Sequence, residues 1–259
     1  QARTAQERVN YLSRVMGIGG MNSSKTHYLP DTVSFYSTNS SESLAVDLCN
    51  SIGEILAAAI KKRGRASMAV SGGSTPVQLF EEFSRLSIDW TKVDLTLVDD
   101  RWVEPKSADS NELLVRTHFI KNNASKVNFT PLKNDSNTAK EGQKQTEVLL
   151  GNFTMPFDVI VLGMGSDGHT ASLFPCSDEL ADGMDLNNPN YLISTSPKTA
   201  PYERLSLTAK VIMDAKNVFL HLNGSSKLHT LESAMEYKDS SKMPIYKFLK
   251  SGLSIYWSP

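Results

Sequence analysis

Three short segments bring glycine, hydroxyl, acidic, basic and imidazole groups together at spacings that could hold an anion and move a proton. They are SGGSTP at 71–76, DDRW at 99–102 and GMGSDGH at 163–169. In the first, Gly72 and Gly73 can take conformations closed to other residues and let a ligand approach the backbone. The amides near Ser74 and Thr75 would point at an anion along the dipole of a following helix. No GKS or GKT ending makes this a nucleotide loop, and a tight turn with a capping serine is the plainer reading. In the second, Arg101 offers a planar fork of donors for phosphate or carboxylate, with Asp99 or Asp100 able to hold it. The same arginine could instead be one half of a surface ion pair. A metal at these acids lacks a third ligand nearby.

The third segment presents His169 on a glycine turn beside Asp167. Gly163, Gly165 and Gly168 turn the chain after an apolar run, and His169 with Thr170 is expected at or near the next helix start. A helix N-terminus disfavours imidazolium, so a neutral, basic imidazole is expected there, unless the ring only donates a structural hydrogen bond. Two later segments are basic enough to reach the same place. Lys198 and Arg204 flank a proline-stiffened turn, and Lys227 sits in the first turn of a helix, where a cation opposes the dipole and a nearby anion would offset the cost. Solvated surface lysine is the alternative for Lys198 and Lys227. Among the other histidines, His27 lies in a polar lead-in, His118 and His229 lie on helices, and His221 in VFLHL reads as a satisfied core histidine. No serine sits in a GxSxG elbow.

The elements that must position these loops follow from periodicity. Strands are expected at 33–36, 66–70, 93–98, 127–129, 157–162, 191–195, 205–208, 218–222 and 253–257. Between them lie helices whose apolar residues recur at three- and four-residue spacing. One runs from a cap at Ser40 or Ser41 to a stop at Gly64; another opens after Ser74 or Thr75 with Pro76 in its first turn; others cover 111–119, 138–150 and 226–237. This alternation predicts an α/β fold: an open, mostly parallel sheet in a single domain, with helices on both faces. Ligands in such sheets bind beyond the carboxyl ends of the strands. The Asn-, Asp-, Pro- and Ser-rich stretch at 175–201 is expected to contain a helical turn.

With 27 basic against 28 acidic residues and a formal charge of −1, the chain gives no electrostatic case for nucleic acid or an anionic membrane. Its 40% hydrophobic content rules out whole-chain disorder. Cys49 and Cys176 cannot make a disulfide framework and lack ligands at metal spacing. The apolar runs read as too short to span a bilayer. Residues 1–20 read as a leader ahead of Met21, with residues 21–259 as one catalytic domain. The expected setting is cytoplasmic and the expected state monomeric.

Taken in order, SGGSTP, DDRWV with Ser110-Asn111 downstream, GMGSDGHTASLFP at 163–175 and ERLSLT at 203–208 resemble the successive motifs of the 6-phosphogluconolactonase family, within the wider glucosamine-6-phosphate deaminase and isomerase fold group. The resemblance spans Val33 to Trp257. It implies hydrolysis of 6-phospho-D-glucono-1,5-lactone to 6-phosphogluconate in the oxidative pentose phosphate pathway, with no cofactor and no metal. It implies His169 as the catalytic base with Asp167 beside it. Gly72, Gly73, Ser74, Arg101, Arg204 and the shorter-motif Lys227 are the implied substrate contacts. A deaminase/isomerase of the same fold group, or a non-catalytic sugar-phosphate-binding domain, is the alternative.

Overall fold

The fold is built outward from two strands whose every residue is buried. The computed structural model describes residues 33–249 and 252–259, so the expected leader lies outside the described residues. Strands β1 (Ser34–Ser37), β2 (Ala66–Val70), β3 (Val93–Leu97), β5 (Asn128–Phe129), β6 (Val159–Leu162), β9 (Val218–Asn223) and β10 (Leu253–Ser258) form a parallel sheet in the order β1-β10-β9-β6-β2-β3-β5. Its central strand β6 and the neighbouring β2 read VIVL and ASMAV and are buried throughout, as strands covered on both faces must be.

The strands and long helices expected from the sequence are present within about two residues of the bounds read there, while the strand Asp99–Arg101 and the short helices Ala209–Asp214 and Ile245–Phe248 were not expected. Helix α1 (Ser41–Arg63) is capped by the Ser40 hydroxyl, which accepts the Ser43 N–H, and stops at Gly64 in the left-handed conformation at φ 81°. By length and composition alone α1 could cross a membrane, which corrects the expectation that every apolar run is too short. Its apolar stripe of Leu44, Leu48, Ile52 and Leu56 is instead buried, packed over β2, β6 and β10. Helix α2 (Val77–Arg85) begins one residue later than expected: Pro76 is the cap residue, and no serine or threonine side chain caps it. Pro76 has no N–H to satisfy and its φ of −80° already suits a helix. Helices α3 (Asn111–His118), α4 (Ala139–Leu150), α6 (Ala209–Asp214), α7 (Ser225–Tyr237) and α8 (Ile245–Phe248) complete the layers. The 175–201 stretch does contain a helix, α5 (Leu180–Met184), followed by a strand.

Sequence reading missed a second sheet. β4 (Asp99–Arg101), β8 (Arg204–Leu207) and β7 (Leu192–Thr195) pair antiparallel in the order β4-β8-β7. The polar DDRW run hid β4, because a strand of this length carries too little periodicity to register. Its consequence is direct: Arg101 stands opposite Arg204 in the ladder.

Candidate functional site

Strand ends and the loops that leave them enclose one cavity of about 250 Å³, walled in part by Gly72, Gly73, Ser74, Arg101, His169, Arg204 and Lys227. These loops leave β2, β6 and β9, three consecutive neighbours in the sheet, while β4 and β8 close the space from the small sheet. Every residue expected to contact substrate therefore lines this one space, and Asp167 supports it from just outside.

The glycines are needed for close approach. A methyl group on Gly72 would sit 1.9 Å from Asn111 Oδ1, and one on Gly165 would sit 2.1 Å from the His169 ring. Gly73 is held at φ +92° and Gly168 at φ +76°, where a side chain is strained. The turn closes on itself through Gly165 N–H to His169 O at 2.8 Å and Gly168 N–H to Gly165 O at 3.1 Å. Beneath it, the Thr170 hydroxyl donates to Gly163 O at 2.7 Å.

His169 does not stand at a helix start. The chain stays in turns from there until α5, so no helix N-terminus faces the ring, contrary to expectation. What orients the ring is Asp167, whose Oδ1 lies 2.5 Å from Nδ1 and also accepts the His169 backbone N–H at 3.1 Å. Phe174 stacks on the ring with centroids 3.9 Å apart. With Nδ1–H donating to the carboxylate, Nε2 carries the lone pair. Burial works to raise the Asp167 pKa, but the hydrogen bond and charge of His169 outweigh it and hold the carboxyl below its ordinary value.

Arg101 and Arg204 form the cationic side. Among the described residues neither makes an ion pair with a carboxylate. Arg101 Nη1 donates to Asp109 O at 2.7 Å, so neither Asp99 nor Asp100 holds its guanidinium, against expectation. Asp100 is turned away to cap α3, accepting Asn111 N–H at 2.7 Å, Glu112 N–H at 3.1 Å and Arg101 N–H at 2.8 Å. Burial raises its pKa to about 6 against those three donors. Arg204 is 6% exposed, lies 4.9 Å over the Phe174 ring, and has an Nε with no hydrogen-bond partner. Burial lowers its pKa, Asp99 opposes and Arg101 adds to the effect. Its Nη2 donates to Pro201 O at 3.3 Å, but a buried guanidinium with an idle Nε and no ion pair is costly, and an anion in the cavity would offset that cost.

Lys227 Nζ donates to Met164 O at 2.8 Å in the wall of the cavity; burial lowers its pKa and the Asp167 charge opposes. Lys198 is exposed, pairs with Asp178 and does not line the space, so it reads as surface lysine. Sequence reasoning missed Phe174, which touches both His169 and Arg204, and misjudged His221. That residue lines the cavity, and neither of its ring nitrogens has a partner among the described residues. The available signal was its place next to the end of an apolar strand that opens onto a loop.

Residues 39–257 match the family described as glucosamine-6-phosphate isomerases/6-phosphogluconolactonase. A 6-phosphogluconolactonase of Rhizobium meliloti is 41% identical over 219 residues, covering 83% of this chain and 94% of its own. One from Pseudomonas putida is 38% identical, covering 94% of this chain and 100% of its own. Among solved structures, a 6-phosphogluconolactonase from Shewanella baltica superposes with a TM-score of 0.85 at 42% identity, covering 88% of this chain and 98% of its own. A monomeric glucosamine-6-phosphate deaminase, 14% identical with a TM-score of 0.69, shares the fold alone. The chain belongs to the glucosamine-6-phosphate isomerase/6-phosphogluconolactonase family.

Proposed function

We propose that the protein hydrolyses 6-phospho-D-glucono-1,5-lactone to 6-phospho-D-gluconate, with His169 as the base that activates water. It is an enzyme of lactone hydrolysis, a reading supported by relatives of that name that align over nearly their whole length. The observation that carries the finer reading is a carboxylate-anchored imidazole in the same cavity as two arginines that form no ion pair among the described residues.

The chemistry needs no covalent nucleophile, because a lactone carbonyl is already electrophilic. His169 Nε2 takes a proton from water as the oxygen adds to C1. The bond from C1 to the ring oxygen then breaks, and the same nitrogen returns the proton to the departing oxygen. Asp167 keeps Nδ1–H pointed at itself and stabilises the transient imidazolium. Backbone N–H groups of the glycine loops hold the developing oxyanion. Arg101, Arg204 and the Gly72-Gly73-Ser74 loop hold the phosphate, and Lys227 adds positive charge to the wall, so that binding energy from the far end of the substrate orients C1.

The test is an acid-release assay on fresh 6-phosphogluconolactone beside unphosphorylated gluconolactone, each corrected for spontaneous hydrolysis. Turnover strongly favouring the phosphorylated lactone is expected. Equal turnover would remove the phosphate anchor. No enzyme-dependent acid release, together with ammonia release from glucosamine 6-phosphate, would assign the deaminase reaction instead.

A further inference from the structure

His221 is 3% exposed, lines the cavity and, among the described residues, leaves both Nδ1 and Nε2 without a hydrogen-bond partner. Buried polar atoms of a folded chain are nearly always paired, so an orphaned ring in a cavity wall calls for a physical reason. The register shows how the ring gets room. Leu220 pairs with Leu162 across β9 and β6, so His221 stands level with Gly163, which has no side chain to fill the adjoining space. A methyl group placed on Gly163 would meet only Ser71 Cβ, at 3.9 Å.

We propose that His221 is a specificity-determining residue of this cavity, exchanging hydrogen bonds with a ring hydroxyl of the phosphorylated lactone. The inference rests on the lactonase reading and adds a substrate contact to it. Burial lowers the imidazole pKa to about 4, so at neutral pH the ring is uncharged, with one N–H and one lone pair. That pairing suits a hydroxyl, which both donates and accepts. It suits phosphate and the lactone carbonyl less well, because both only accept. The cavity already offers cations for the phosphate and, in its glycine loops, backbone N–H groups for the carbonyl oxygen. A sugar hydroxyl both gives and takes a hydrogen bond, as the neutral ring of His221 does.

The experiment compares kcat/KM of the wild-type protein and His221→Leu on 6-phosphogluconolactone and on its monodeoxy analogues at C2, C3 and C4. Wild type is expected to lose roughly 10- to 100-fold on one analogue, the usual scale for a missing partner to a buried polar group. His221→Leu is expected to lose a similar factor on the parent lactone and nothing further on that analogue. Removing an unsatisfied polar ring should also leave the Tm of the free protein unchanged or raised. His221→Gln, which keeps a donor and an acceptor, should recover part of the loss, and it carries the comparison if the leucine variant does not fold. Equal losses on the parent and every analogue, or wild-type kinetics in a folded His221→Leu protein, would overturn the proposal. Wild-type protein with no lactone turnover would overturn the lactonase reading and this contact together. The two failures are therefore told apart by which protein is inactive.

Discussion

At the scale of single residues, His169 is oriented by its hydrogen bond to Asp167 and not by a helix terminus. The His169 side chain is half-buried, stacked on Phe174 and tethered at Nδ1, which leaves one nitrogen for proton transfer. Replacing His169 with Asn keeps a polar group near Asp167 and removes that nitrogen. Turnover of 6-phosphogluconolactone should fall roughly 100- to 10,000-fold, the usual scale for removing a positioned general base. Binding of 6-phosphogluconate should change little, because the proposed phosphate contacts lie on other strands. The pH profile of kcat/KM should also lose the limb that belongs to the base. Near-normal turnover by folded His169→Asn protein would sink the mechanism even if the lactonase activity stood. This residue was legible because a histidine on a glycine turn after an apolar strand is a local pattern. His221 was not, because its meaning depends on what faces it across the sheet, and that is set by register.

At the scale of elements, the site depends on β4 leaving the main sheet. Val98 donates to Val70 O at 2.9 Å, and Leu207 in turn donates to Val98 O at 2.8 Å, so one residue hinges the two sheets. Asp100 then fastens the departing strand to the start of α3, while Asn111 Nδ2 donates to Asp99 O at 2.8 Å and packs against Gly72. The Gly72-Gly73-Ser74 loop and the arginine strand are thus held by one buried knot. Asp100→Ala would leave the Asn111, Glu112 and Arg101 N–H groups without their carboxylate, and should cost about 2–4 kcal/mol of stability. Urea unfolding would measure this. Because Arg101 is next in the strand, KM for the phosphorylated lactone should rise as well. An unchanged unfolding midpoint would show that the knot does not hold α3. The parallel sheet was readable because long apolar strands and capped helices carry strong periodic signals. The antiparallel sheet was not, since pairings such as Arg101 with Arg204 span about a hundred positions and leave no local trace.

At the scale of the whole molecule, the same groups that build the site set how stability responds to acid. His221 is buried, with its pKa lowered from 6.5 to about 4, so between those values the unfolded chain takes up a proton that the folded chain refuses. Stability from this group is therefore present above pH 6.5 and is lost as pH falls toward 4, by about 3 kcal/mol in full. Asp100 has the opposite sign. Its pKa is raised from 3.8 to about 6, so in that range the folded chain holds a proton that the unfolded chain has released, and acid favours folding. The two contributions overlap and partly cancel in the wild-type protein, so its own pH profile cannot separate them. The difference between wild type and His221→Leu can, because Asp100 is common to both. Urea unfolding of the two proteins at steps from pH 7.5 to 4.5 should show the leucine variant gaining on wild type as pH falls, most steeply between pH 6 and 5. Parallel stability curves would mean that the ring takes up its proton as readily in the folded chain as in the unfolded one, and that the wall of the cavity is wetter at His221 than its burial implies.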